Sequence, residues 1–155
     1  MLIWKAAGPE GNSIDAVLSG VALAPAATGA FVDSRKHMLG NKRFRALYQV
    51  FDSNASNPTG RCGVGREIHM FVYELTRPKP IERGSMVISS CLETVSLVSQ
   101  NSGSPGSESD FSSVTWHHDG FTIEWWDNGP EGNASSHYAL RDGRFVIDPP
   151  DLGNR

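Results

Sequence analysis

Cysteine is scarce in this chain: two residues in 155, Cys62 and Cys91, with no Cys-x-x-Cys spacing to suggest a zinc ribbon or a dithiol redox motif. A run of about 18 apolar residues is also missing, which excludes a transmembrane helix. There is no basic excess. A net charge of −3 and a pI near 5.9 argue against a general nucleic-acid binder, which needs cations to neutralise phosphates. The Gly-Lys-Ser/Thr end of a phosphate loop and the His-Glu-x-x-His of a zinc protease are absent. Ser85, Ser89, Ser90 and Ser96 stand in no Gly-x-Ser-x-Gly elbow. No catalytic residue, cofactor or metal is therefore predicted, and the chain is not expected to be an enzyme.

What is present suits one domain spanning 1–155, long enough to close a core without metal or disulfide staples. The apolar stretch from Ile14 to Ala30 holds Ala22-Leu23-Ala24, which matches a small-residue cleavage pattern. Gly8-Pro9-Glu10-Gly11-Asn12 and Asp15 break the continuity that a secretion signal needs, and Lys5 is the only base before Arg35. The expected location is the cytoplasm. There Cys62 and Cys91 would be buried thiols; in a periplasmic setting they could form one disulfide.

Charge is divided unevenly along the chain. Residues 35–48 carry five bases (Arg35, Lys36, Lys42, Arg43, Arg45) and no acid, whereas residues 101–155 carry nine acids against three bases. A basic patch and an acidic third follow from that division.

The acidic third has the clearest strand pattern. Phe111–His118 and Phe121–Trp126 are aromatic and β-branched runs around Asp119-Gly120, a dipeptide suited to the positive φ angles of a type I′ hairpin. Tyr138–Arg141 and Arg144–Ile147 repeat the device around Asp142-Gly143. Phe121, Ile123 and Trp125 share one face of their strand; Thr122, Glu124 and Trp126 share the other. Glu67–Leu75, apolar on both faces, should be a central strand, with Ser85–Val98 and Phe44–Phe51 as further strands. Ser13–Ala24 and Ser34–Arg43 suggest short helices, and 52–65 and 99–110 read as loops. The fold class predicted is mainly β: an antiparallel meander sheet or sandwich with one or two short N-terminal helices.

Three constellations could carry chemistry. His117 or His118 with His137 and Glu124 offers imidazole and carboxylate to a metal, but adjacent histidines on a strand point to opposite faces, and histidines flanking a solvent-exposed turn explain the set as well. Cys62 with His69 could make a thiolate and base if the fold brought them together. Gly60-Arg61-Cys62-Gly63-Val64-Gly65 is glycine-rich but precedes a strand rather than a helix, so it reads as a loop entering the central strand. A metal-dependent or Cys-His hydrolase and an envelope β module with a Cys62–Cys91 disulfide stand as alternatives.

The basic stretch from Arg35 to Arg45 reads as a solvated face. Glu124, Asp127, Glu131, Asp142 and Asp148 lie near Trp116, Trp125, Trp126 and Tyr138 in sequence, and aromatic anchors within an acidic rim suit an interface with a basic protein. Trp126 should be exposed, since it opposes the Phe121 face and precedes Asp127-Asn128-Gly129-Pro130. The partner-binding residues predicted are Glu124, Trp126, Asp127, Glu131 and Asp142, with neither nucleic acid nor membrane as partner.

The stretch Ser90-Cys91-Leu92-Glu93-Thr94-Val95-Ser96-Leu97-Val98-Ser99-Gln100-Asn101-Ser102-Gly103, with Asp110-Phe111-Ser112-Ser113-Val114 and Arg141-Asp142-Gly143, is similar to a group of small proteobacterial β proteins. In type, a small acidic chain without an active site resembles the immunity proteins of contact-dependent growth inhibition toxin systems. That resemblance implies a cytoplasmic protein that binds a cognate toxin domain, such as a nuclease, and blocks its active site or an exosite. No immunity motif carries it, and the basic patch at Arg35–Arg45 departs from the pattern.

Overall fold

Large apolar side chains alternate with period two through residues 42–52 and 66–74, and both segments are strands in the computed structural model. The structure describes residues 5–6, 18 and 20–149. Their strands are β1 (Lys5–Ala6), β2 (Gly29–Val32), β3 (His37–Leu39), β4 (Lys42–Asp52), β5 (Arg66–Glu74), β6 (Ile81–Ser90), β7 (Val114–Trp116), β8 (Gly120–Trp125), β9 (Ala134–Arg141) and β10 (Arg144–Ile147). One antiparallel sheet has the order β1-β2-β4-β5-β6, with β3 also paired to β4. The other has the order β10-β9-β8-β7. No helix among the described residues is long and apolar enough to cross a membrane.

The two sheets pack face to face. Phe44, Ala46, Tyr48 and Val50 of β4, Ile68, Met70 and Val72 of β5 and Ile88 of β6 meet Phe121 and Ile123 of β8 and Phe145 of β10. Each fully buried side chain of this size contributes roughly 1.5–3 kcal/mol of transfer free energy. The odd-numbered positions of β4 and β5 explain why these strands are apolar on both sides. Leu47, with Ala30 and Val32 of β2, packs against Leu18 and Val21 over the outer face, and Phe71 and Tyr73 flank them. Strand β5 is thus central and covered twice, as its composition requires.

The predicted mainly β class is what the chain adopts, with one local correction. Ser34–Arg43 is not a helix: it holds β3, a Gly40-Asn41 loop and the start of β4, with Leu39 paired to Lys42. A Gly-Asn pair between two short runs favours a hairpin, and the cross-strand partners of β4 override any helical preference of the basic residues. Half of the other helix, expected over Ser13–Ala24, falls outside the described residues, and Val21–Ala24 is not helical. Strand β6 also begins earlier than predicted and ends at Ser90; Val95 then bridges back to Ser90 across a tight turn.

The two Asp-Gly dipeptides do different work. At Asp142-Gly143 both residues take positive φ, 52° and 78°, as a type I′ hairpin between β9 and β10 demands. At the β7–β8 turn the loop is His118-Asp119 instead, closed by His117 N–H donating to Gly120 O at 2.8 Å, and none of these residues has positive φ. Gly120 is needed for proximity. A Cβ there would lie 1.8 Å from Tyr138 O and 3.0 Å from Ala139 Cα on the paired strand. Gly120→Ala should therefore force β8 off β9 and cost about 3 kcal/mol, a melting-point loss of roughly 6–12 °C. Thermal unfolding followed by circular dichroism checks this; an unchanged midpoint would show that the sheet absorbs the methyl.

Candidate binding surfaces

Residues 121–140 contain Glu124, Asp127 and Glu131 but no lysine or arginine. Glu124 is exposed near the end of β8, and Trp126 and Asp127 follow it directly. Trp126 is 44% exposed, unusual for so large an apolar side chain, because strand alternation turns it away from the core-facing Phe121, Ile123 and Trp125. Its backbone is nonetheless held. Trp126 N–H donates to Ser96 O at 2.9 Å, next to the bridge between Leu97 and Trp125. Asp127 N–H donates to Asn133 Oδ1 at 2.9 Å, and Gly129 N–H to Asp127 Oδ1 at 2.8 Å. The loop from 126 to 133, which carries exposed Glu131, is thus closed on itself by side-chain caps.

Asp142 does not join this group. Glu124 pairs with Ser135, seven residues before Asp142 along β9, which places the two at opposite ends of the sheet, roughly 20 Å apart at ~3.3 Å per residue. The Asp142 end is rich in arginine: Arg141 bonds Asp148 at 2.9 Å, Arg144 Nη1 lies 3.8 Å from Glu82, and Arg83 reaches the hairpin tip at Gly143. Four of the five predicted contact residues therefore form one acidic, aromatic end.

The histidines form a hydrogen-bonded row on the outer face of the smaller sheet. His117 Nε2 meets Thr122 Oγ1 at 2.9 Å, Thr122 Oγ1 meets His137 Nδ1 at 3.2 Å, and His137 Nε2 meets Asp119 Oδ2 at 3.1 Å. The His137 hydrogen bond holds the Asp119 carboxyl below its ordinary value. Among the described residues no three His, Cys, Asp or Glu side chains are grouped to hold a metal ion. Cys62 is bonded to Cys91, so its sulfur is no thiolate for His69, whose ring packs between Phe51 and Phe71. Of the two states open to the cysteines, the structure has the disulfide.

Two features escape a reading of the sequence. Glu67, 8% exposed, lies beneath the disulfide and accepts hydrogen bonds from the Ser53 and Ser90 hydroxyls and from the Cys91 and Leu92 N–H groups. Burial alone would raise its carboxyl, but these four donors outweigh that and hold it below the ordinary value. The second is a cleft of about 750 Å³ between residues 33–38 and residues 111–118. Asp33, buried in its wall, accepts from Arg35 N–H at 3.0 Å through Oδ1 and lies 2.7 Å from His37 Nε2 through Oδ2. Burial opposes the Asp33 charge, yet the His37 and Arg35 bonds win and lower its carboxyl. His37 stacks on Trp116 at 4.3 Å, and Tyr48 stacks on Phe111 at 4.1 Å. Burial, then the nearby Asp33 charge, pushes the Tyr48 hydroxyl upward, so that ring stays neutral.

Comparison of the chain with protein-family models, with curated proteins and with solved structures finds no match.

Proposed function

We propose that this chain is a non-catalytic binding protein that holds a basic partner protein through Trp126, Glu124, Asp127 and Glu131. The observation that carries the reading is the combination of an exposed indole and a capped loop. A loop whose backbone is held before binding loses little conformational freedom when the partner arrives, and an aromatic anchor inside a polar rim is the usual composition of an energetic hot spot. Three carboxylates in a stretch, 121–140, that has no lysine or arginine would steer a cationic surface toward it. The immunity proteins that the chain resembles in type act this way, by occupying a toxin domain's active site or exosite, and a nuclease cleft, basic because it holds phosphate, is a fitting target.

The immunity reading places the chain in the cytoplasm, where thiols are kept reduced, whereas the Cys62–Cys91 disulfide suits an oxidising compartment, so the state of the two cysteines in the cell decides between the locations. Free-thiol titration of protein isolated from its native host tests the location: two reactive thiols in the native protein would return it to the cytoplasm. For binding, the tagged protein and its Trp126→Ala and Glu124→Lys/Asp127→Lys variants should be compared as bait. Retention of a basic protein should weaken by about 30-fold in Trp126→Ala, the ~2 kcal/mol of a hot-spot residue, and fall with added salt. Equal retention by all three baits would remove this end of the molecule from the interface.

A further inference from the structure

We propose that the cleft between residues 33–38 and residues 111–118 is a binding site for a small organic anion with a flat aromatic body, a chemistry shared by aromatic carboxylates and nucleoside monophosphates. Its volume, about 750 Å³, lies in the range that small-molecule sites occupy. One wall presents the half-buried His37 ring, backed by Trp116 on which it stacks, while Tyr48 and Phe111, stacked on each other, are buried in the core beneath. The open side of the His37–Trp116 stack favours a planar ligand by offset stacking.

The sign of the ligand follows from what is matched and what is not. Asp33 is the only carboxylate in the lining among the described residues, and both its oxygens are engaged by Arg35 N–H and His37 Nε2, so it does not call for a second cation. Arg35 and Lys36, by contrast, are exposed at the rim, and neither side chain has a carboxylate partner among the described residues. The exposed imidazoles of His117 and His118 line the same rim. Trp116 also lines the cleft, and its Nε1 is buried with no acceptor among the described residues.

The backbone that carries the cations is also held in advance. Asp33 N–H donates to Ala46 O at 3.1 Å, its carboxylate accepts from Arg35 N–H, Arg45 Nη2 donates to Ser34 O at 3.0 Å, and on the other side of Lys36 the strand residue His37 pairs with Phe44. This site is separate from the acidic end: Trp116 pairs with Phe121 near the start of β8, whereas Trp126 follows the end of that strand. Its chemistry is opposite in sign.

The test is an NMR titration of the full chain, following the Trp116 indole N–H, with two matched pairs of probes: 1-naphthoate against 1-naphthamide, and adenosine monophosphate against adenosine. At least one anion should shift that resonance saturably, with its neutral counterpart weaker by about tenfold or more. Arg35→Gln/Lys36→Gln should weaken the anion by a similar factor. Both side chains are exposed, and an unchanged spectrum of the free variant away from the loop verifies its fold. A response to naphthoate alone or to the nucleotide alone identifies the source of the anion. The proposal is overturned if neither anion saturates by about 10 mM, if the neutral probes bind equally, or if the variant binds as the parent does.

Discussion

Reduction of the Cys62–Cys91 disulfide is expected to lower the unfolding free energy by about 3.5 kcal/mol and the melting point by roughly 10 °C. The bridge spans 29 residues, and restricting an unfolded chain over a loop of that length removes entropy worth roughly this much. It also fixes a junction with unfavourable backbone: Cys62 and Thr94 both adopt positive φ, 55° and 53°, without being glycine. Such conformations persist only where the surroundings over-determine them. Around this junction the bridge ties the 53–65 loop to the turn after β6, and Arg61 Nη2 reinforces it by donating to Leu92 O at 3.1 Å. Urea unfolding of the oxidised protein, the reduced protein and Cys62→Ser/Cys91→Ser checks the expectation. Coincident midpoints for all three would show that the loop is held without the bridge.

How much of this could be read in advance depends on the distance over which each feature is built. The strand character of β4, the apolar content on both faces of β5, the alternation in β8 and the turn at Asp142-Gly143 are local, and each was legible. The exposure of Trp126 followed from period two and the Asp-Asn-Gly-Pro segment after it. Asp119-Gly120 misled because the same dipeptide has two uses, and only the approach of Tyr138 O, which the pairing of β8 with β9 creates, reveals which one applies. The five predicted contact residues were close in sequence, yet β9 carries Asp142 to the other end of its sheet. The cleft was invisible for the complementary reason. Residues 33–38 and 111–118 are remote in the chain and meet only when the two sheets pack, so Arg35 and Lys36, from the basic run that fitted the acidic-inhibitor pattern poorly, come to the rim of a second site.

Glu67 is the extreme case of a residue whose meaning lies in its surroundings, since its donors stand 14 to 25 positions away. Glu67→Ala should cost about 3–4 kcal/mol, because two hydroxyls and two backbone N–H groups lose a charged acceptor in a buried place. Glu67→Gln keeps one acceptor oxygen and should cost about half as much. The folded carboxyl lies below its ordinary 4.5, so its stabilisation is complete above that value and is lost as the pH falls through the lower folded one. Asp33 has the same sign, so the wild-type protein should weaken in acid through both groups. Glu67→Gln should flatten that limb by up to one proton, ~1.4 kcal/mol per pH unit, while Asp33 keeps some slope. Urea midpoints measured from pH 6 down to about pH 3 decide it, and parallel curves for the two proteins would mean that Glu67 does not titrate differently on folding. Because Glu67 accepts from Cys91 N–H at 2.9 Å, the carboxylate and the disulfide hold the same turn. Their losses should not add: once the bridge is reduced and the turn is free to open, removing the carboxylate costs less than it does in the oxidised protein.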